Sequence, residues 1–112
     1  MEYAIFTVST PQFSPEVVVH RTKAAGYDGI EWRVKDDAPS DAPTFWSGNR
    51  ATLPLTGLEE NAPTWRRMAE DVGLEMPAIA SYVKCDELER VELAMRGAAA
   101  LGVPMLRIQL PT

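Results

Sequence analysis

Two short segments of the chain alternate charged or amide side chains with large apolar ones. The first contains Glu31 and Arg33, and the second contains Arg107 and Gln109. If both segments are strands, the polar residues of each share one face, because alternate side chains point to opposite sides of a strand. Buried charge is costly unless it is paired. We therefore expect either a polar floor, on which Arg33 or Arg107 holds an anionic ligand, or an internal salt-bridge network among Glu31, Arg33 and Arg107. The two interpretations are compatible.

Hydroxyl and aromatic side chains follow the predicted strands. Ser81 and Tyr82 come at the end of one strand, and Ser9, Thr10 and Phe13 follow another. Residues at such positions form the binding face of barrel enzymes, although serine and threonine are also ordinary loop and cap residues. Trp46 lies next to Phe45 in a long loop, and these aromatic residues predict either a lid that excludes water or an anchor that pins the loop to the surface. We include Ser81, Tyr82 and Trp46 among the candidate ligand-binding residues.

Other residues with reactive side chains receive no role. His20 is the only histidine and lies in the middle of a predicted helix, where we expect it to face solvent. Cys85 has no visible base partner, so a nucleophilic role is disfavoured. Asp36, Asp37 and Asp41 lack the ligand pattern of a calcium loop. No glycine-rich nucleotide motif occurs. The sequence therefore indicates no catalytic residue and no metal ligand.

Three helix-to-strand joins position the candidate residues. Gly26, Gly73 and Gly102 each end a helical stretch and lead into an apolar segment. Glycine takes the left-handed conformation that stops a helix without a Cβ penalty. A repeated join of this kind indicates a repeated βα unit and therefore a parallel sheet.

The predicted elements are four strands and three helices of an α/β fold. Ser14 caps the first helix, which ends at Ala25. The second helix begins at Asn61, because Pro63 is tolerated in a first turn. Asp86 and Glu89 form a capping box for the third helix. Its buried stripe is predicted to comprise Leu88, Val91, Met95, Ala98 and Leu101. A long loop covers Val34–Gly57. The predicted strands are Tyr3–Val8, Gly29–Arg33, Glu75–Ser81 and Pro104–Leu110.

Charge and hydropathy exclude several classes of partner. The net charge is −5 at pH 7, which disfavours both nucleic acid and an anionic membrane surface. No run of about 20 apolar residues predicts a membrane span. The N-terminus lacks the pattern of a signal peptide, and the single cysteine allows no internal disulfide. We therefore expect a cytoplasmic protein that binds neither nucleic acid nor membrane.

The number of βα units predicts an incomplete barrel. A closed parallel barrel needs eight strands and about 250 residues. This chain has 112 residues and four predicted strands, the last of which would leave an apolar edge exposed. We expect residues 1–112 to form one domain, half of a (βα)8 barrel, in which a C-terminal half or a second chain covers the fourth strand. A self-sufficient four-stranded domain is the alternative.

Three segments of the chain resemble the xylose isomerase-like TIM barrels. They are Gly26-Tyr27-Asp28-Gly29-Ile30-Glu31-Trp32, the later Ala-Glu-Asp-Val-Gly-Leu-Glu, and Ala-Ala-Ala-Leu-Gly-Val-Pro-Met-Leu-Arg-Ile. They resemble the entries to the second, third and fourth strands of that superfamily, which includes sugar-phosphate isomerases and epimerases, inosose dehydratases, hydroxypyruvate isomerases and endonuclease IV. The predicted ends of strands three and four lack the histidines of the nuclease branch, so the resemblance favours the sugar enzymes.

The resemblance implies the N-terminal part of a metal-dependent sugar or sugar-phosphate isomerase or epimerase that acts through an enediolate. In that family the metal ligands and the paired glutamates lie mostly on strands five to eight. A divalent Mn, Mg, Zn or Co ion is therefore expected only in a complete barrel, and this chain alone is expected to be inactive. Glu31, Arg33, Arg107, Gln109, Ser81, Tyr82 and Trp46 would then contact a small sugar-like substrate. Two alternatives remain: an inosose dehydratase-type lyase on the same scaffold, and a non-catalytic half-barrel that binds sugars or serves assembly.

Overall fold

The computed structural model describes residues 1–111, so Thr112, the last residue of the expected domain, lies outside the described residues. These 111 residues form an α/β fold with three α-helices and five strands. One strand more is present than the sequence predicts. In chain order the elements are β1 (Ala4–Phe6), a 3-10 turn (Thr7–Ser9), α1 (Pro15–Ala24), β2 (Gly29–Val34), β3 (Thr52–Leu53), α2 (Leu58–Asp71), β4 (Ile79–Lys84), α3 (Leu88–Leu101) and β5 (Leu106–Gln109).

All strand pairs are parallel, and the strand order is β1-β2-β4-β5. The extra strand, β3, also pairs with β2, at Arg33 and Val34. β1 pairs with β2 only as far as Glu31, because the chain turns into the 3-10 segment after Phe6. β3 lies inside the segment that we predicted to be an uninterrupted loop, and it pairs with the part of β2 that β1 leaves uncovered.

The local sequence correctly predicts the N-terminus of α1 but not those of α2 and α3. Ser14 caps α1 as predicted, since its Oγ accepts a hydrogen bond from the amide of Val17 at 3.4 Å. The predicted start of α2 at Asn61 is wrong: α2 begins at Leu58 and contains Pro63 in its interior. The predicted capping box of α3 is also wrong, because the N-cap is Glu87, whose carboxylate instead accepts a hydrogen bond from the amide of Lys84.

All three helices contribute to one core against one face of the sheet. Ile30, Trp32 and Ile79 supply the sheet side of that core and are fully buried. From α3 the buried residues are Ala94, Gly97, Ala98 and Leu101. Leu88 and Met95, which we predicted to be buried, are 75% and 59% exposed. The buried face of α3 is thus made largely of small residues, which let α3 lie close to α2.

The joins between helices and strands confirm the repeated βα unit. Gly26, Gly73 and Gly102 all have positive φ, between 75° and 91°. Strands β4 and β5 begin later than predicted, at Ile79 and Leu106. β4 continues to Lys84, so Ser81 and Tyr82 lie within the strand and not at its end as predicted. Glu75 forms only an isolated bridge to Gly29. Within residues 1–111, no helix is both long and apolar enough to cross a bilayer.

Candidate functional site

The face of the sheet opposite the helices carries the polar residues predicted from sequence alternation. Strand pairing aligns Phe6 with Glu31, and it aligns both Arg33 and Arg107 with Ala80. Residues in register share a face, and their neighbours Ile30, Trp32 and Ile79 point into the helical core. The predicted common face of Glu31, Arg33 and Arg107 is therefore present.

Glu31 and Arg107 form an ion pair across this face. Arg107 Nη2 donates to Glu31 Oε2 at 2.5 Å, and the Arg107 guanidinium also lies 4.8 Å from the centre of the Phe6 ring. The Glu31 side chain is 22% exposed and that of Arg107 is 53% exposed. A guanidinium has five N–H donors, so Arg107 keeps solvent-facing donors beyond the one that Glu31 occupies.

A cavity of about 230 Å³ opens beside the middle of β4 and the carboxyl end of β5. We call it the strand-end pocket. Five of the seven candidate residues line it: Trp46, Ser81, Tyr82, Arg107 and Gln109, together with Phe6, Ala80 and Ile108. The other two candidates, Glu31 and Arg33, lie beside it, since Glu31 binds Arg107 and Arg33 lies against Tyr82. All seven candidates are therefore brought to one region of the fold.

Two of the candidate groups are already engaged in the sheet. The Ser81 hydroxyl donates to the backbone carbonyl of Arg107 at 2.8 Å, and Ser81 is 4% exposed. The backbone carbonyl of Gln109 accepts a hydrogen bond from the amide of Cys85 at 2.8 Å, whereas the residue itself is exposed. Ser81 thus holds β4 to β5, and the side-chain amide of Gln109 has no hydrogen-bond partner within residues 1–111.

The aromatic wall of the pocket consists of Trp46 and Tyr82. Their rings meet edge to face, with centroids 6.3 Å apart and planes at 83°. Trp46 is 61% exposed. The register of β4 against β5 shifts between Ala80 and Lys84, which marks an irregularity in the strand around Tyr82. Such irregularities re-aim side chains near the ends of strands.

Arg33 lies beneath this wall and has no exposed side-chain surface. Its Nη1 donates to Asp37 Oδ2 at 3.0 Å and to Thr52 Oγ1 at 2.8 Å, and its Nη2 donates to the backbone carbonyl of Trp46 at 3.1 Å. The predicted network among Glu31, Arg33 and Arg107 is therefore two separate arrangements. Glu31 pairs with Arg107, and Arg33 pairs with Asp37.

The segment 35–51, which we call the cover loop, is anchored by an asparagine that sequence analysis missed. Asn49 is 4% exposed, and its amide nitrogen lies within hydrogen-bond distance of three backbone carbonyls, those of Thr7, Val8 and Phe45. Its side-chain oxygen accepts a hydrogen bond from the amide of Ala51. The Gly48-Asn49 dipeptide indicates a turn, but nothing local in the sequence indicates these distant carbonyls.

The cover loop also lines a second, larger cavity of about 630 Å³ at the ends of β2 and β3. One of its lining residues, Asp36, accepts hydrogen bonds from the Thr56 hydroxyl at 2.6 Å and the Thr56 amide at 2.9 Å. Partial burial tends to raise the pKa of Asp36. The Thr56 hydrogen bonds, a backbone hydrogen bond from Leu55 and the charge of Arg90 act in the opposite direction, and the net effect lowers the pKa below its ordinary value of 3.8.

The remaining sequence candidates do not line the strand-end pocket. Ser9 donates to the carbonyl of Phe6, and Thr10 donates to that of Thr7, so both cap the 3-10 turn. Phe13 lies 5.0 Å from the Arg21 guanidinium. His20 is exposed on α1.

The pocket residues fit an oxyanion better than a metal ion. The Glu31 carboxylate is paired with Arg107. Two cations lie near the Tyr82 ring: Lys35 Nζ is 5.5 Å and the Arg33 guanidinium 5.1 Å from its centre. Within residues 1–111, no three His, Cys, Asp or Glu side chains are grouped to hold a metal. Nearby cations oppose a divalent ion and favour an anion.

No protein-family model matches the chain, and no curated protein matches it.

Proposed function

We propose that this chain is the substrate-positioning N-terminal part of a (βα)8-barrel enzyme that isomerises or epimerises a sugar or sugar phosphate. One observation carries the proposal. A parallel sheet has its helices on one face, and a charged pocket with an aromatic wall on the other, lined by residues 80–82 in the middle of β4 and by the carboxyl end of β5. Barrel enzymes bind their substrates at that end of the strands.

The pocket offers one group for each part of a phosphorylated sugar. Arg107 is half exposed and has free donors for an oxyanion. The exposed Gln109 amide has both a donor and an acceptor for a hydroxyl group. Trp46 and Tyr82 present apolar surface for the C–H side of the molecule. At about 230 Å³ the pocket is smaller than the roughly 300–1,000 Å³ of drug-sized ligand sites, which favours a small ligand.

The chemical step that we propose is a proton transfer through an enediolate, and this step needs a base near the substrate. Glu31 is the carboxylate next to the pocket, and it is already engaged by Arg107. The chain therefore binds and orients the substrate, and the reactive groups belong to the other half of the barrel or to a second chain. That partner would pair with the open edge of β5.

The pairing of Glu31 with Arg107 also favours a second candidate function, a sugar-binding module that does not turn over its ligand. Such a module would use the same pocket and the same contacts. A lyase of the dehydratase type would differ only in the groups supplied by the partner, so fold and pocket do not separate it from an isomerase.

Ligand binding by the chain itself tests the role of Arg107. We expect D-fructose 6-phosphate to perturb the NMR signals of Tyr82 and Arg107 and to bind more tightly than either D-fructose or inorganic phosphate. Arg107→Gln should weaken binding about ten- to hundredfold, the range for one charge-assisted hydrogen bond. Arg96→Gln is the matched control, because Arg96 is similarly exposed and also has a carboxylate partner, Glu92.

Two results would contradict the proposal. Equal affinity of the wild type and Arg107→Gln for D-fructose 6-phosphate would remove Arg107 from the site. Isomerisation of D-fructose 6-phosphate by this chain alone, followed as solvent deuterium entering the sugar, would contradict the division of labour between the two halves. If Glu31→Gln abolished that turnover, Glu31 would be a base after all.

A further inference from the structure

Arg33 is placed to organise the pocket and not to bind the ligand. We propose that Arg33 is a positioning residue, which fixes Trp46 and Tyr82 as the wall of the strand-end pocket and so sets its affinity for ligand. This inference rests on the proposed function for the ligand, but its structural part can be tested without one.

The first step concerns the cost of burying the charge. The Arg33 side chain has no exposed surface, and Asp37, its carboxylate partner, is 15% exposed. Burying a guanidinium is costly unless it is paired and hydrogen-bonded, and Arg33 makes these contacts through Nη1 and Nη2. Asp37 and Trp46 both belong to the cover loop, so the loop must stay closed over β2 for Arg33 to keep these partners. The charge on Arg33 therefore favours the closed loop.

The second step concerns the two rings. Arg33 Nη2 binds the backbone carbonyl of Trp46, which fixes the chain at that residue. The Arg33 guanidinium also lies 5.1 Å from the centre of the Tyr82 ring. Cations near an aromatic face are attracted to it. One side chain thus holds both members of the wall, Trp46 through its backbone and Tyr82 through its ring.

The third step excludes direct contact between Arg33 and the ligand. Both terminal nitrogens of Arg33 are engaged, and the residue does not line the strand-end pocket. Its Nε is buried and has no hydrogen-bond partner among the described residues. The planar guanidinium of Arg33 donates to three partners in a fixed geometry. A lysine ammonium cannot reproduce this geometry.

The experiment uses the 112-residue chain labelled with 5-fluorotryptophan and observed by fluorine NMR. Trp46→Phe assigns the Trp46 signal, and the signals of Trp32 and Trp65 report on whether the fold is intact. Arg33→Lys removes the guanidinium, and Asp37→Asn removes its carboxylate partner. Asp36→Asn is the matched control, because Asp36 is the neighbouring carboxylate and binds Thr56 instead of Arg33.

We expect the Trp46 signal to shift and narrow in Arg33→Lys and Asp37→Asn, with the Trp32 signal unchanged, and to stay as in the wild type in Asp36→Asn. The affinity for D-fructose 6-phosphate should fall about two- to tenfold in the first two variants, the range for one side chain that must be ordered on binding. Protease cleavage within 38–48 should accelerate in parallel.

An unchanged Trp46 signal in a folded Asp37→Asn variant would overturn the inference. So would an altered Trp46 signal with unchanged affinity, because Arg33 would then hold the loop without any effect on the pocket. If the wild type binds no D-fructose 6-phosphate, the proposed function fails instead, and the fluorine signals still decide whether Arg33 positions the wall.

Discussion

At the scale of single residues, two arginines on the same sheet face have different surroundings. Arg107 is half exposed and forms an ion pair with one carboxylate, that of Glu31. Arg33 is fully buried and donates hydrogen bonds to three partners. An exposed guanidinium can exchange partners with a ligand at little cost, and a buried one cannot. Exposure therefore separates the residue that contacts a ligand from the residue that shapes its pocket.

A residue-scale prediction concerns the hydrogen bonds between Thr56 and Asp36. Thr56→Val removes the hydroxyl donor, so we expect the pKa of Asp36 to rise. The folded-state pKa of Asp36 is depressed. The stabilisation from its hydrogen bonds is thus present above the unfolded value of 3.8 and lost as the pH falls through the folded-state pKa. Carboxyl-carbon NMR titration measures the pKa directly.

Unfolding in urea tests the same prediction in a second way. The difference in the free energy of unfolding between wild type and Thr56→Val should be largest near neutral pH and shrink below pH 3.8. Thr64→Val, at an exposed position of α2, is the control and should show no such pH dependence. A difference that stays constant down to low pH would show that the hydroxyl does not act through the Asp36 charge.

Sequence alternation correctly predicted the common face of Glu31, Arg33 and Arg107, because a two-residue period is a local property of a strand. It did not identify the partners of Arg33. Asp37 lies in the cover loop and Thr52 lies in β3, which follows that loop, and no period or motif indicates how the loop folds. Asn49 was missed for the same reason, since its three carbonyl partners are defined only by the closed loop.

At the scale of elements, the contact between α2 and α3 depends on Gly97. A Cβ added there would overlap Cδ2 of Leu58 and would lie 2.6 Å from its Cγ and 3.1 Å from its Cβ. We expect Gly97→Ala to lower the free energy of unfolding by about 1–3 kcal/mol, as overpacking does. The better helix propensity of alanine, worth about 1 kcal/mol, offsets only part of this loss. Urea unfolding measures the change.

The Leu58→Ala background supplies the control for Gly97→Ala. Leu58→Ala alone should cost about 2–5 kcal/mol, because it empties a fully buried position. In that background Cδ2 and Cγ are gone and only the Cβ of residue 58 remains, 3.1 Å from the added Cβ, so Gly97→Ala should be much less destabilising than in the wild type. If Gly97→Ala were equally destabilising in both backgrounds, contact with Leu58 would not be its cause.

The predicted elements differ from the observed ones where tertiary contacts override local signals. β3 is only two residues long, which is too short for any period, and it exists because β1 leaves the end of β2 unpaired. α2 begins three residues early and accommodates Pro63 inside it, because Leu58 is buried against α3. In α3 the buried positions are small residues, so a pattern based on large apolar side chains wrongly selected Leu88 and Met95.

At the scale of the whole molecule, the chain has its helices against one face of the sheet and a strand, β5, that pairs only with β4 among the described residues. Met105, Ile108 and Leu110 are 61%, 40% and 81% exposed in and beside that strand. We expect this edge to drive concentration-dependent association, measured as mass by light scattering or sedimentation. Ile108→Lys should suppress it, because a charge on an edge opposes strand addition.

Val17→Lys is the matched control for the edge. Val17 is similarly exposed, at 42%, but lies on α1. The Val17→Lys variant should associate to the same extent as the wild type. A wild-type chain whose mass is that of one copy at every concentration would contradict the prediction and, with it, the proposal that another polypeptide covers β5.

The two borders of the sheet are unequal, and this inequality limits how assemblies can grow. One border consists of β1 and β3, staggered fragments of three and two residues, whereas β5 offers four consecutive residues. In the described part of the chain, only β5 is a continuous template for a further strand. If two molecules pair their β5 strands about a two-fold axis, both open β5 edges are covered. The assembly then stops at a dimer and has no free strand edge from which a fibril could elongate.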